Sequence, residues 1–194
     1  RYALTGEQMK AADGRMIREI GIPSLILMER AALQCVNAMK EANIDLSHAL
    51  VVCGSGNNGG DGFAIARLLI EEGFDVDAIL VGSLTSRSEE TKTQMKILEN
   101  MGVSVGNSLP DREYSVIIDA VFGIGLSRNI EGNYADVIER MNRFHGYKVS
   151  VDMPSGICSD TGRILGCAFK ADTTVTFAYP KAGHFFYPGC QYTG

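Results

Sequence analysis

The sequence predicts a three-layer α/β fold: a mostly parallel central sheet, helices on both faces, and two extra helices ahead of the first strand. Three observations predict it. Short apolar runs alternate with segments of helical spacing, as in successive β-α units. The run Val51-Val52-Cys53 passes into the glycine-rich turn Gly54-Ser55-Gly56-Asn57-Asn58-Gly59-Gly60-Asp61-Gly62, and Phe63 to Ile70 follows with helical spacing. A length of 194 residues suits one domain, 1–194, with a full core and no internal repeat or linker.

Thr5-Gly6-Glu7-Gln8 carries a helix-capping signal, and Met9, Ala12, Met16, Ile17 and Ile20 mark one face of a first helix. Gly21 to Ser24 breaks it. A second helix is expected from about Ser24 to Glu41, burying Leu25, Met28, Ala32, Cys35, Val36 and Met39. These two helices suit either a cap on the sheet or a dimer contact. The first strand is expected at Ala49–Cys53 with its helix at Gly60–Glu72, and the second at Val76–Val81 with a helix from Ser88 to Met101. Val103–Val105 reads as a short third strand. Tyr114–Asp119 is the fourth, followed by a helix near Tyr134–Asn142; Tyr147–Val151 is the fifth and Thr173–Phe177 the sixth. Glu89, Glu90, Lys92 and Lys96 read as a solvated helix face. The stretch from Pro180 to Gly194 is too rich in Gly, Pro and aromatics to assign.

The net charge of −5 argues against a nucleic-acid surface. No apolar run approaches a membrane span, and nothing near the start has the pattern of a secretory signal. The five cysteines (Cys35, Cys53, Cys158, Cys167 and Cys190) include no C-x-x-C pair, and are expected as reduced thiols of a cytoplasmic protein. The chain starts at Arg1 rather than Met and stops at Gly194, so it is expected to be part of a longer one.

A glycine-rich turn opening a helix aims backbone N–H groups at a ligand, and the helix dipole draws anionic or polar groups there. Gly54, Gly56 and Gly59 satisfy G-x-G-x-x-G, but a carboxylate at Asp61 would crowd a phosphate. The second strand ends in Gly82-Ser83, where a dinucleotide fold wants an acid for the ribose. A nicotinamide dehydrogenase therefore fits poorly. Asp61 is a helix cap or part of a polar site, and Asn57 and Asn58 favour the site.

Ligands in such folds bind beyond the carboxyl ends of strands. Two further strand ends carry polar residues: Asp119 through Gly123-Ile124-Gly125-Leu126-Ser127-Arg128-Asn129, and Asp152-Met153-Pro154-Ser155-Gly156. A lone Asp at a strand end is often a turn former. Two at neighbouring ends, facing a third polar loop, point to a site. His48, His145 and His184 fall outside these loops, so no Ser-His-Asp or Cys-His arrangement is evident. What converges is oxygen. Asn58, Asp119 and Ser155 together suit a hard cation, and a single carboxylate suits a monovalent ion better than calcium. Asp61 and Asp152 remain for proton transfer or for substrate hydroxyls. Arg128 is a phosphate contact or a surface ion pair. Lys181 is a phosphate contact or a surface lysine with a buried stem.

At these residues the chain resembles the NAD(P)H-hydrate epimerase family, the YjeF N-terminal domain. The resemblance rests on five blocks in order: Leu27-Met28-Glu29-Arg30-Ala31-Ala32, Gly54 to Gly62, Asp119 to Leu126, Val151 to Gly156, and Lys170-Ala171-Asp172-Thr173-Thr174-Val175-Thr176-Phe177. It implies a Rossmann-like domain, commonly a homodimer, that interconverts the R and S forms of hydrated NADH or NADPH. It also implies potassium, held by Asn58, Asp119 and Ser155. Substrate would contact Asn57, Asn58, Gly59, Gly60 and Asp61, then Gly123, Ile124, Gly125, Leu126, Ser127, Arg128 and Asn129, and Asp152. Epimerisation through a planar iminium needs an acid and a base, expected at Asp152 and Asp61, and Asp152→Asn is expected to abolish it while leaving the fold intact. Two alternatives stand beside this reading. One is a non-catalytic Rossmann-like scaffold; the other is the epimerase half of a chain fused to an ADP-dependent dehydratase.

Overall fold

The computed structural model describes residues 2–83 and 85–194. At its centre five parallel strands lie in the order β2-β1-β3-β4-β5. They are β1 (His48–Cys53), β2 (Asp75–Leu80), β3 (Val116–Ala120), β4 (Tyr147–Val151) and β5 (Thr173–Val175). The helices are α1 (Gly6–Arg18), α2 (Ser24–Glu41), α3 (Asn57–Glu71), α4 (Glu89–Asn100) and α5 (Asn133–Arg143).

The strands are apolar at both parities because both faces are covered. Val51, Cys53, Ile118, Ala120 and Val149 enter one core with Ala32, Val36 and Met39 of α2 and Phe63 and Leu69 of α3. Leu50, Val52 and Ile117 enter the other, with Ile138 and Met141 of α5. α2 thus caps one sheet face. Buried Arg67 ties it to α3, reaching Glu29 at 2.7 Å and Glu71 at 2.8 Å. α1 is closed at Thr5 by a capping box and lies at the carboxyl rim of the sheet, because Leu4 pairs with the Pro180–Ala182 backbone at 3.0 Å on both sides.

Strand order reverses between β1 and β3, so a crevice opens over their carboxyl ends. Three local expectations change. The helix after β1 begins at Asn57, not Gly60, since the N–H groups of Gly59 and Gly60 turn back to the Gly56 carbonyl at 2.9 and 3.3 Å. Val103–Val105 forms no strand: only Gly106 bridges to Ile79, and the half-buried valines serve as packing. β5 stops at Val175, and left-handed Ala178 (φ 57°) turns the following chain. The stretch left unassigned contains 3-10 turns at Ala182–His184 and Gly189–Gln191. Among the described residues no helix is long and apolar enough to cross a membrane.

Candidate active site

The glycine turn after β1 divides its labour. A Cβ on Gly54 would stand 2.1 Å from the Val121 carbonyl, and one on Gly59 1.8 Å from the Gly54 carbonyl. Those two glycines let the β1 and β3 loops and the start of α3 touch. Gly56 has nothing within 4 Å, so its backbone is open to a ligand. Gly56 caps α3 without a side-chain bond, and the N–H groups of Asn57 and Asn58 keep no partner among the described residues. Thr91 of α4 braces the turn, donating to the Gly56 carbonyl at 2.8 Å.

Asp119, fully buried at the end of β3, is a knot between strands. Its carboxylate accepts from Ser155 Oγ (2.6 Å), Ser155 N–H (2.7 Å), Val121 N–H (3.2 Å) and, across the β3–β4 register, Ser150 Oγ (3.3 Å). Burial still raises its pKa to about 6 against those four stabilising donors. Ser155 Oγ accepts in turn from the Phe122 N–H at 2.9 Å. Next along that loop, a Cβ on Gly123 would come within 3.2 Å of the Asn58 amide and 3.4 Å of the Asp152 carboxylate. Asn58, Asp119, Ser155 and Asp152 are therefore drawn around one short stretch of backbone. The donors are all oxygens once the Asn58 amide is turned over, and its Nδ2 is buried without a partner. This chemistry fits a hard monovalent cation near Asn58 and Ser155, with Asp119 lending charge although its lone pairs are largely engaged.

Asp152 sits one residue past β4 in the left-handed region (φ 70°), rare for a residue with a side chain. Several bonds hold it there. Its N–H donates to the Val175 carbonyl at 2.8 Å, and its own carbonyl accepts from His184 Nε2 at 3.0 Å. His184 Nδ1 accepts the Lys181 N–H at 3.0 Å, which fixes the tautomer with the proton on Nε2. Burial and the Lys181 charge push the His184 pKa down, favouring this neutral ring.

Lys181 is only 1 % exposed and makes an ion pair with the Asp152 carboxylate. Its other two protons go to Thr176 Oγ1 (2.9 Å) and the Phe177 carbonyl (3.2 Å), so all three donors are used. Neither sequence reading of Lys181, phosphate contact or surface residue, describes this. His184, set aside as outside the loops, lies against Asp152. No motif marked either residue, because both come from the unassigned stretch and reach the site only through the turn after β5.

Asp61, on the second turn of α3, has its pKa raised well above the carboxylate norm. Burial is the main cause, followed by the negative charges of Asp152 and Asp13, with Lys181 opposing. Asp13 of α1, which the sequence did not single out, is raised by burial and by Asp152. Three carboxyl groups thus lie near one lysine, which pairs with Asp152, and the pKa of Asp61 is pushed in the direction that favours its protonated form. Of the remaining sequence candidates, Ile124 and Leu126 are half-buried, while Gly125, Ser127, Arg128 and Asn129 are exposed further along the loop.

A family model described as "YjeF-related protein N-terminus" matches residues 24–183. The chain belongs to this family. A Weissella koreensis protein named NAD(P)H-hydrate epimerase is 44% identical over 182 residues, spanning 93% of this chain and 82% of its own. A protein of the same name from Limosilactobacillus fermentum is 46% identical over 195 residues, covering 99% and 93%. Among solved structures, yeast YNL200c superposes with a TM-score of 0.83 at 23% identity, over 94% of this chain and 83% of that one, and so shares the fold. The family match begins at residue 24, so α1, with Asp13 and the Leu4 pairing, lies outside it.

Proposed function

We propose that this YjeF-family chain is an NAD(P)H-hydrate epimerase, acting on NADH or NADPH hydrated at the ring carbon beside the nicotinamide nitrogen. Curated relatives of that name support the activity. The observation that supports the mechanism is a cluster in which Asp61, shifted by burial and neighbouring carboxylates towards its protonated form, sits with a lysine-held carboxylate, Asp152. The ring nitrogen's lone pair expels the hydroxyl as Asp61 protonates it, and water leaves a planar iminium. A second water adds to the opposite face and gives its proton to Asp152; proton exchange with solvent then reprotonates Asp61 and ionises Asp152, and the return direction exchanges the roles. Lys181 and His184 are positioning residues, fixing the carboxylate and backbone of Asp152. The open turn from Asn57 to Gly60 is suited to the substrate diphosphate, and the loop from Gly123 to Asn129 to the rest of the dinucleotide.

Potassium belongs to this reading, with Asn58, Asp119 and Ser155 as its ligands. When bound there it would supply positive charge beside the phosphate-binding turn. A cytoplasmic homodimer is likewise part of the reading; exposed Ile17, Ile20, Ile26 and Leu33 on α1 and α2 and in the turn between them supply apolar surface for the contact.

Asp61→Asn is the deciding test. Asparagine is nearly isosteric with a protonated aspartic acid, so stability should stay within about 1 kcal/mol, whereas loss of the transferable proton should slow epimerisation about 100-fold or more. Purified R-hydrate is incubated with each protein, with and without potassium, and S-hydrate is followed by chromatography. A variant as fast as wild type ends the assignment of Asp61. Wild type that leaves R-hydrate at its uncatalysed rate ends the epimerase reading.

A further inference from the structure

On the epimerase reading, one turnover from R to S leaves Asp61 without its proton and Asp152 with one it did not have. The pair cannot repeat the reaction in the same direction until a proton has left Asp152 and another has reached Asp61. Both groups sit in the crevice that the dinucleotide would fill: Asp152 is only 8% exposed and Asp61 is half-buried. Exchange with solvent therefore needs a route out of the crevice that does not pass through the substrate. Asp119 is unsuited to it, because its carboxylate is held by four donors.

α1 offers such a route. Its first turn is seated on the rim: a Cβ on Gly6 would stand 2.8 Å from Ser159 Oγ and 3.4 Å from the Ile124 carbonyl, and Leu4 bridges to Lys181. Met9, one turn on, is 4% exposed. Asp13 follows Met9 by about one turn and Gly6 by about two, so it lies on the same inward face of the helix. Burial and the Asp152 charge both act on it, with Lys181 opposing, and it acts in turn on Asp61. Asp13 nevertheless keeps one side open to water, and its carboxylate has no hydrogen-bond or ion-pair partner among the described residues. A group that ferries protons has to be free in this way, able to turn between donor, acceptor and solvent. We propose that Asp13 is the proton-exchange residue of this site, taking the proton that Asp152 gains, passing it to solvent, and returning a solvent proton to Asp61. An O–H bond breaks on Asp152 as one forms on Asp13, and one later breaks on Asp13 as one forms on Asp61, so no proton is consumed over the cycle. This rests on the epimerase reading, and it gives a role to a helix that lies outside the family match.

Wild type, Asp13→Asn and Asp13→Glu are compared on purified R-hydrate at fixed pH, potassium and ionic strength, in two regimes. With enzyme in excess, the first turnover needs no resetting, so Asp13→Asn should match wild type within about twofold. With substrate in excess, resetting recurs in every cycle, and kcat of Asp13→Asn should fall about tenfold or more while KM stays within about twofold. Formate or imidazole, added as a diffusible proton carrier, should restore multiple turnover in Asp13→Asn and leave wild type unchanged. Asp13→Glu should keep most of the activity without a carrier. A residue that served only packing or local charge would slow both regimes alike and ignore the carrier, and that result overturns the proposal. So does an unimpaired multiple-turnover rate in Asp13→Asn. Asp13 is exposed and unbonded, so its variants should fold, and Asp13→Ser takes the place of Asp13→Asn if circular dichroism shows otherwise. Wild type that leaves R-hydrate at its uncatalysed rate overturns the epimerase reading and this proposal together; an active wild type beside a loss that no carrier relieves overturns this proposal alone.

Discussion

Asp152 shows how one residue's strain is maintained. A left-handed backbone costs about 1–3 kcal/mol and persists only where surroundings over-determine it; here Val175, His184, Thr176 and Lys181 all hold it. The ion pair also changes an expectation drawn from sequence. Asp152→Asn should indeed abolish epimerisation, but it leaves the Lys181 charge buried and uncompensated, so it should also cost about 3 kcal/mol in urea unfolding rather than leave the fold untouched. A variant with wild-type stability would show that Lys181 discharges or moves. His184 makes a second prediction. Its folded pKa lies below the unfolded value near 6.5, so the neutral ring contributes fully above pH 6.5, and that stability is lost as pH falls from 6.5 through the depressed folded value. Wild type should lose urea midpoint between pH 7.5 and 5 more steeply than His184→Gln, and parallel profiles would sink the idea.

At the scale of elements, the turn between β1 and α3 tests which glycines serve packing and which serve ligand access. Gly59→Ala drives a Cβ into the Gly54 carbonyl and should cost more than about 3 kcal/mol, because backbone meets backbone and neither side can yield cheaply. Gly56→Ala meets open space at an ordinary backbone conformation and should cost less than about 1 kcal/mol, the usual range for a cap position. Its effect should instead appear as a raised KM. Chemical denaturation and steady-state kinetics on both variants separate the two roles; equal stabilities would mean the turn can open. The early start of α3 has the same origin. Asn and Gly are poor helix formers, so Asn57 to Gly60 reads as loop, yet Gly59 against Gly54 and Met28 against Gly60 compact it into a helical first turn.

For the molecule as a whole, the site is closed by segments that the sheet does not need. α1 contributes no residue to the two cores flanking the sheet, but it is pinned to the Lys181 segment through Leu4 and to Asp160 through the Gly6 N–H at 2.6 Å. Removing residues 1–20 should therefore leave the circular-dichroism spectrum of the αβ core, less one helix, while lowering epimerisation about tenfold or more through loss of Asp13 and release of the Lys181 backbone. Full activity in the shortened chain would show that Asp13 and the Leu4 pairing are dispensable.

The sequence by itself determined the layers and the rim. Short apolar runs and helical stripes are local, so β1, β4, α2 and the positions of Asp119 and Asp152 at strand ends were all legible, as was the glycine turn. Only the tertiary structure decided that Asp119 serves four donors at once, that burial and neighbouring carboxylates raise the pKa of Asp61, and that Asp152 is gripped by Lys181 and His184. Those properties come from burial and from charges brought together across long separations in the chain. A local pattern carries no record of either.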